Sequence, residues 1–197
     1  MYEGCKLIAI EGPDKLGKTT QCIRLASALN GSTYQKIPSR DGVTYDRIYE
    51  MLKTGEALEE PYYFQALQGM NRLIWQRQML PMLAQQNEYI ILDRWNLSAW
   101  IYGKATGMTD RQLDIISKGM AKPDLCFIFQ GTAHERPGQD DVYESNNKLQ
   151  TEAEVRYNQW ADDNPDIAIK VNANRSMEDV TSHIVQEIEK WKNQQKH

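Results

Sequence analysis

Residues 12–19 read Gly-Pro-Asp-Lys-Leu-Gly-Lys-Thr, and they follow a short apolar run, Lys-Leu-Ile-Ala-Ile, at 6–10. An unbroken apolar run of that length reads as a strand buried on both faces, as in a parallel sheet. Gly12 and Gly17 let the backbone turn so that successive N–H groups point at one anion, and a helix expected over 19–29 adds the positive end of its dipole. Lys18 is placed to bridge the β- and γ-phosphates of a nucleotide, and the Thr19 hydroxyl to hold Mg²⁺. Strand, glycine loop and helix in that order are the setting a phosphate-binding loop requires. The sequence around it must supply a parallel sheet with helices on both faces.

The rest of the chain fits. Apolar strand runs are expected at 89–93, 125–129 and 167–171, with a weaker one at 32–37. Helical patterns lie between them: 45–52, 62–86 with Pro81 as a point of division, a helix start at 97–103, then 109–120, 152–160, and 176–191. Ser176 opens the last with an acid three residues on, the spacing of a capping box. Residues 131–150 carry a polar, lid-like loop. Alternating strands and helices without a divisible linker predict one domain over 1–197, a three-layer α/β/α fold with a mostly parallel sheet. A second chemical signal closes the 89–93 run. Asp93 ends it beside the loop strand, where a Mg²⁺-ordering carboxylate belongs, and Arg94 follows, able to neutralise charge on a transferring phosphoryl group.

Composition narrows the class. Charged residues are 25% and hydrophobic residues 41% of 197, which is globular. Three cysteines without a Cys-x-x-Cys pair and three histidines give neither a disulfide framework nor a zinc site. Mean hydropathy is −0.66, and no apolar run approaches a membrane span. No basic-then-apolar leader opens the chain. A soluble, cytoplasmic protein is expected. A formal charge of −4 argues against a nucleic-acid face, though not against a local basic pocket.

Several segments together resemble the thymidylate kinases, a family of nucleoside monophosphate kinases with the P-loop NTPase fold. Glu11 to Thr20 is similar to their phosphate loop, with an acid at Asp14. Asp93-Arg94-Trp95 with Ser98 and Tyr102 resembles their Asp-Arg-aromatic segment. Pro38 and Arg40 match a short segment after the second strand, Asn71-Arg72 a helical pair, Lys122 to Leu125 the approach to the third buried strand, and 171–180 the C-terminal loop and helix start. The resemblance implies Mg²⁺-dependent transfer of the ATP γ-phosphoryl to a deoxynucleoside monophosphate, dTMP giving dTDP. It implies that Lys18, Arg94, Lys15 and Asp14 are catalytic. ATP would lie on Gly12, Pro13, Asp14, Lys15, Leu16, Gly17, Lys18, Thr19 and Thr20, with Asn172 and Asn174 near the adenine. The acceptor would lie on Asp14 (sugar hydroxyl), Pro38, Arg40 and Arg94 (phosphate), Arg72 (base edge), Gln68, Ser98, and Tyr102 (sugar). Arg136, Glu144 and Gln150 would belong to the lid, Thr19 and Asp93 to the metal, and the protein would be a homodimer with small nucleotides as partners and neither nucleic acid nor membrane.

One position departs from the family. A base-stacking Phe is expected four residues before the helix Arg, and here Gln68 stands there, on the face of Arg72. An amide offers hydrogen bonds where an aromatic plane offers stacking. A kinase for another base (dUMP, a modified pyrimidine or a purine) is therefore an alternative, and a non-catalytic nucleotide-binding switch is a rival from another class.

Overall fold

The computed structural model describes residues 4–134 and 141–195. The elements in chain order are β1 (Lys6–Glu11), α1 (Lys18–Ala28), β2 (Ser32–Lys36), α2 (Tyr45–Thr54), α3 (Glu56–Glu59), α4 (Pro61–Gln78), α5 (Leu80–Gln86), β3 (Tyr89–Asp93), α6 (Asn96–Ala105), α7 (Asp110–Ser117), β4 (Leu125–Gln130), α8 (Asn147–Asp163), β5 (Ala168–Asn172) and α9 (Met177–Gln194). The strands form one five-stranded sheet in the order β2-β3-β1-β4-β5, with every pairing parallel. This is the expected α/β/α architecture.

Strand side chains alternate between faces, and the core divides accordingly. Leu7, Ala9, Ile90, Leu92, Cys126 and Ile128 pack with Ile48, Phe64, Trp75, Trp95, Tyr102 and Tyr157 from α2, α4, α6, α8 and the Asp93–Asn96 turn. Ile8, Ile10, Ile91, Phe127 and Phe129 pack on the other side against Cys22 and Leu25 of α1 and Val180, Ile184 and Ile188 of α9. Burial of all three central strands on both faces explains why their sequences are continuous apolar runs.

Helix boundaries refine the expectation. The 62–86 pattern is two helices meeting at Met79, with Pro81 in the first turn of α5; a proline there cannot supply the N–H that would continue α4. Ser176 caps α9, accepting from Asp179 N at 3.1 Å. Thr109 and Gln112 form a full capping box on α7. Helix α8 begins at Asn147, not at 152, because the Asn146 side chain accepts from Leu149 N at 3.0 Å. The lid-like loop therefore ends at Asn146, and Gln150, assigned to it from sequence, lies in the first turn of α8. Among the described residues no helix is long and apolar enough to cross a membrane.

The sheet order places the crossover next to β1. From β1 the chain first crosses to the edge strand β2 and comes back inward with β3, then passes to the opposite side of β1 with β4 and β5. Loops after β1, β2 and β3 thus open into one crevice at the carboxyl edge, where α/β sheets bind ligands.

Candidate active site

Gly12, buried at the end of β1, has φ 136°, and a Cβ there would lie 2.7 Å from the Phe129 carbonyl oxygen of β4. Only glycine satisfies both conditions. Lys15 and Gly17 are also left-handed, with φ 63° and 74°. Gly17 precedes α1 with no side-chain cap, so the first N–H groups of α1 face the crevice free of protein acceptors from the cap. Lys18, only 6% exposed, donates to the Pro13 carbonyl. Burial, with help from Arg94, lowers its ammonium to about 8 despite Asp14, Asp93 and Glu11. Leu16 is core, and Thr20 is exposed on α1.

The Thr19 hydroxyl, in the first turn of α1, donates to Asp93 Oδ2 at the end of β3 at 2.5 Å. A hydroxyl and a carboxylate meeting at the loop are hard oxygen donors of the kind Mg²⁺ takes alongside nucleotide phosphates. The residues therefore fit that ion, and Thr19 and Asp93 are the pair that would hold it.

Arg94 lies at φ 65°, an unusual conformation for a side chain of its size and one that concentrates at functional sites. Its backbone N–H donates to Ile10 O at 3.0 Å. Its Nη1 donates to Gly12 O (3.0 Å), Ser98 Oγ (3.0 Å) and Tyr157 OH (3.3 Å), and its Nη2 pairs with Asp14. The Asp14 carboxylate also accepts from Tyr102 OH at 2.9 Å and Gln150 Nε2 at 2.8 Å. Gln150 Oε1 in turn accepts from Asp14 N at 3.0 Å. Burial alone would raise the Asp14 carboxyl, but Arg94, Lys18 and these donors hold it down at about 2. The Tyr102 ring lies 5.5 Å from the Arg94 guanidinium carbon.

Behind them sits Glu11, with no solvent exposure. It accepts from Trp95 N (2.7 Å), Ser98 N (3.3 Å), Ser98 Oγ (2.6 Å) and Tyr157 OH (3.0 Å). One carboxylate thereby joins β1, the Arg94 turn, α6 and α8. Sequence reasoning passed over it, yet the signal existed: like Asp93, it is an acid ending a buried strand at the loop.

On α4, Arg72 is buried and faces the same cleft as Gln68, one turn earlier. Its neighbour Asn71 holds the 38–40 segment, donating to Ser39 O at 3.1 Å and accepting from Ser39 N at 2.7 Å. The Ile37–Pro38 peptide is cis. Pro38 lines the cleft, whereas Arg40 is exposed and stands outside its wall. The cleft measures about 600 Å³ and gathers Asp14 to Thr19, Pro38, Gln68, Arg72, Asp93, Arg94, Ser98 and Tyr102. It also takes in residues that sequence reasoning missed: Lys36, Lys53, Gln65, Asp141 and Tyr143. Tyr143 packs 5.3 Å from Phe64 and 5.5 Å from Tyr102, centroid to centroid. Glu144 is at the rim. Asn172 and Asn174 lie outside the cleft, fastened to the turn after β4 by a bond from Thr132 N to Asn174 Oδ1 at 2.8 Å. Arg136 falls outside the described residues.

The family model for thymidylate kinase matches residues 10–184, most of the chain. The chain belongs to the thymidylate kinase family. A thymidylate kinase of African swine fever virus is 32% identical over 127 residues, which are 62% of this chain and 50% of the viral protein. The chain thus spans about half the length of that curated relative. Among solved structures, thymidylate kinase from Candida albicans, described as having broad substrate specificity, superposes with a TM-score of 0.78 at 27% identity, covering 96% of this chain and 93% of the other. Thymidylate kinase from Ehrlichia chaffeensis shares the fold, with a TM-score of 0.71 over 94% of this chain and 99% of its own, at 20% identity.

Proposed function

We propose that this chain is a nucleoside monophosphate kinase that transfers the γ-phosphoryl group of ATP to a deoxynucleoside monophosphate, dTMP giving dTDP. The observation that carries this reading is that the phosphate loop, Arg72 and the Arg94–Asp14 pair all line one cleft. That arrangement suits two anionic substrates meeting there.

The loop N–H groups and Lys18 hold the donor phosphates, and Lys15 follows the transferred group. Mg²⁺, when bound by Thr19 and Asp93, neutralises phosphate charge. Arg94 offers a guanidinium to the acceptor phosphate and to charge developing during transfer. Its anchors in Gly12, Ser98 and Tyr157 fix its direction, so no reorganisation is required at the moment of reaction. Asp14, already an acceptor of hydroxyl and amide protons, suits a sugar hydroxyl, and the Tyr102 ring suits the sugar face. Arg40, exposed and outside the cleft wall, would have to move inward to reach the acceptor phosphate. No protein nucleophile is needed, because positioning and charge neutralisation supply the catalysis. The exposed Tyr62, Tyr63 and Met70 on α4 support self-association through that helix, as the resemblance implies.

Lys18→Ala tests the assignment. The variant should keep its fold by circular dichroism and lose at least about 100-fold in kcat, the order seen when one preorganised donor to transition-state charge is removed. Undiminished turnover would contradict the role of the loop.

A further inference from the structure

Three polar atoms in the cleft lack what they need. Gln68 Oε1, Arg72 Nε and Arg72 Nη1 are buried and make no hydrogen bond among the described residues. Gln68 and Arg72 both line the cleft and stand one turn apart on α4. Glu11 attracts Arg72 electrostatically, but four other donors already occupy its oxygens. Both side chains line the cleft, so an occupant there is the partner the fold leaves open to them: an acceptor for the guanidinium and a donor for the amide oxygen beside it.

That combination selects the chemistry of the occupant. A phosphate would satisfy Arg72 but set its oxygens against Gln68 Oε1, acceptor to acceptor. A neutral ring edge with a carbonyl next to a ring N–H satisfies both at once. Thymine, uracil and guanine carry that edge. Cytosine and adenine, in the same pose, turn an amine toward the guanidinium and a bare ring nitrogen toward the amide oxygen. The contact to Arg72 is then donor against donor whichever way the Gln68 amide is turned, and buried groups left unpaired in this way are what allow a polar site to reject a close analogue.

We propose that Gln68 is a specificity-determining residue: its Oε1 accepts the ring N–H of an imide base whose carbonyl lies on Arg72. The inference rests on the phosphoryl-transfer reading above and names the acceptor class within it.

The test measures kcat/KM of the wild type, Gln68→Met and Gln68→Leu for dTMP, dCMP and N3-methyl-dTMP, with the ATP dissociation constant as a check on the loop end. Methionine keeps the length of glutamine and removes the acceptor; leucine is a second apolar replacement should methionine disturb folding. The wild type should lose at least about 100-fold from dTMP to dCMP and to N3-methyl-dTMP. Either variant should lose about tenfold or more on dTMP, show a clearly smaller penalty for N3-methylation, and bind ATP as the wild type does. Unchanged dTMP turnover, or an N3-methyl penalty equal to that of the wild type, overturns the role of Gln68 and leaves the kinase reading standing. Absence of turnover with every monophosphate in the wild type overturns the kinase reading itself, and this inference with it.

Discussion

Lys18 carries two opposing demands. Burial lowers its ammonium from 10.5 to about 8, while a triphosphate in the loop needs it charged. In the free protein the charged form is a cost, present below about pH 8 and relieved as pH rises toward 10.5, where the unfolded chain still binds the proton. This group alone therefore makes the free protein more stable between pH 8 and 10.5. ATP affinity should move the other way. Above pH 8 binding takes up a proton, so the dissociation constant should rise by up to about tenfold per pH unit, and stay flat below pH 7. Titration calorimetry in buffers of different ionisation enthalpy would detect the uptake; a flat affinity from pH 7 to 9.5 would contradict it. Glu11 makes a second residue-scale prediction. Glu11→Gln leaves one carbonyl oxygen and an amide among four donors, which should cost about 1–3 kcal/mol of stability. Because Ser98 and Tyr157 also hold Arg94, kcat should fall about tenfold while ATP affinity is largely kept. Thermal melts with steady-state kinetics separate the two effects. The phosphate loop was legible in the sequence because its chemistry is local. The Glu11 cluster was not, because its partners are Trp95, Ser98 and Tyr157, far along the chain and brought together only by the sheet crossover.

At the scale of elements, the approach of the loop after β1 to β4 is a rigid constraint, because the atom a Gly12 side chain would meet is backbone. Gly12→Ala would drive a Cβ into the Phe129 carbonyl and force a side chain into φ 136°. The loop must then shift away from β4, and the variant should lose ATP affinity and about 1–3 kcal/mol of stability together. Wild-type binding and melting in that variant would show that the loop can relax. Element types were readable for the three buried strands and the amphipathic helices. Boundaries were less so. Asn146 was readable as a cap for α8 in principle, but the polar 131–147 stretch resembled loop throughout, and this hid Gln150 in a helix. There it bonds both the amide and the carboxylate of Asp14, a structural tie to the phosphate loop that a lid assignment does not suggest. Tyr143, in the turn before that helix, was missed for the same reason: its partners Phe64 and Tyr102 sit on α4 and α6.

For the whole molecule, an acidic chain of net charge −4 encloses a cleft lined by Lys15, Lys18, Lys36, Lys53, Arg72 and Arg94. The outer charge and the inner charge answer different questions: one governs solubility and non-specific partners, the other the anions that can enter. Composition alone spoke against nucleic acid, and the cleft's cations fit the small polyanions of the proposed reaction. The parallel sheet makes this possible by ending β1, β2 and β3 at one edge and bringing the loops after them, with α4 and α6, around one crevice. In the proposed reaction this cleft brings ATP and a nucleoside monophosphate together for phosphoryl transfer. The most direct measurement is ADP release from purified protein with MgATP and a panel of deoxynucleoside monophosphates, alongside Lys18→Ala. The account predicts turnover stimulated by dTMP well above the ATP-only rate and lost in the variant. Nucleotide binding without stimulation by any monophosphate would contradict it.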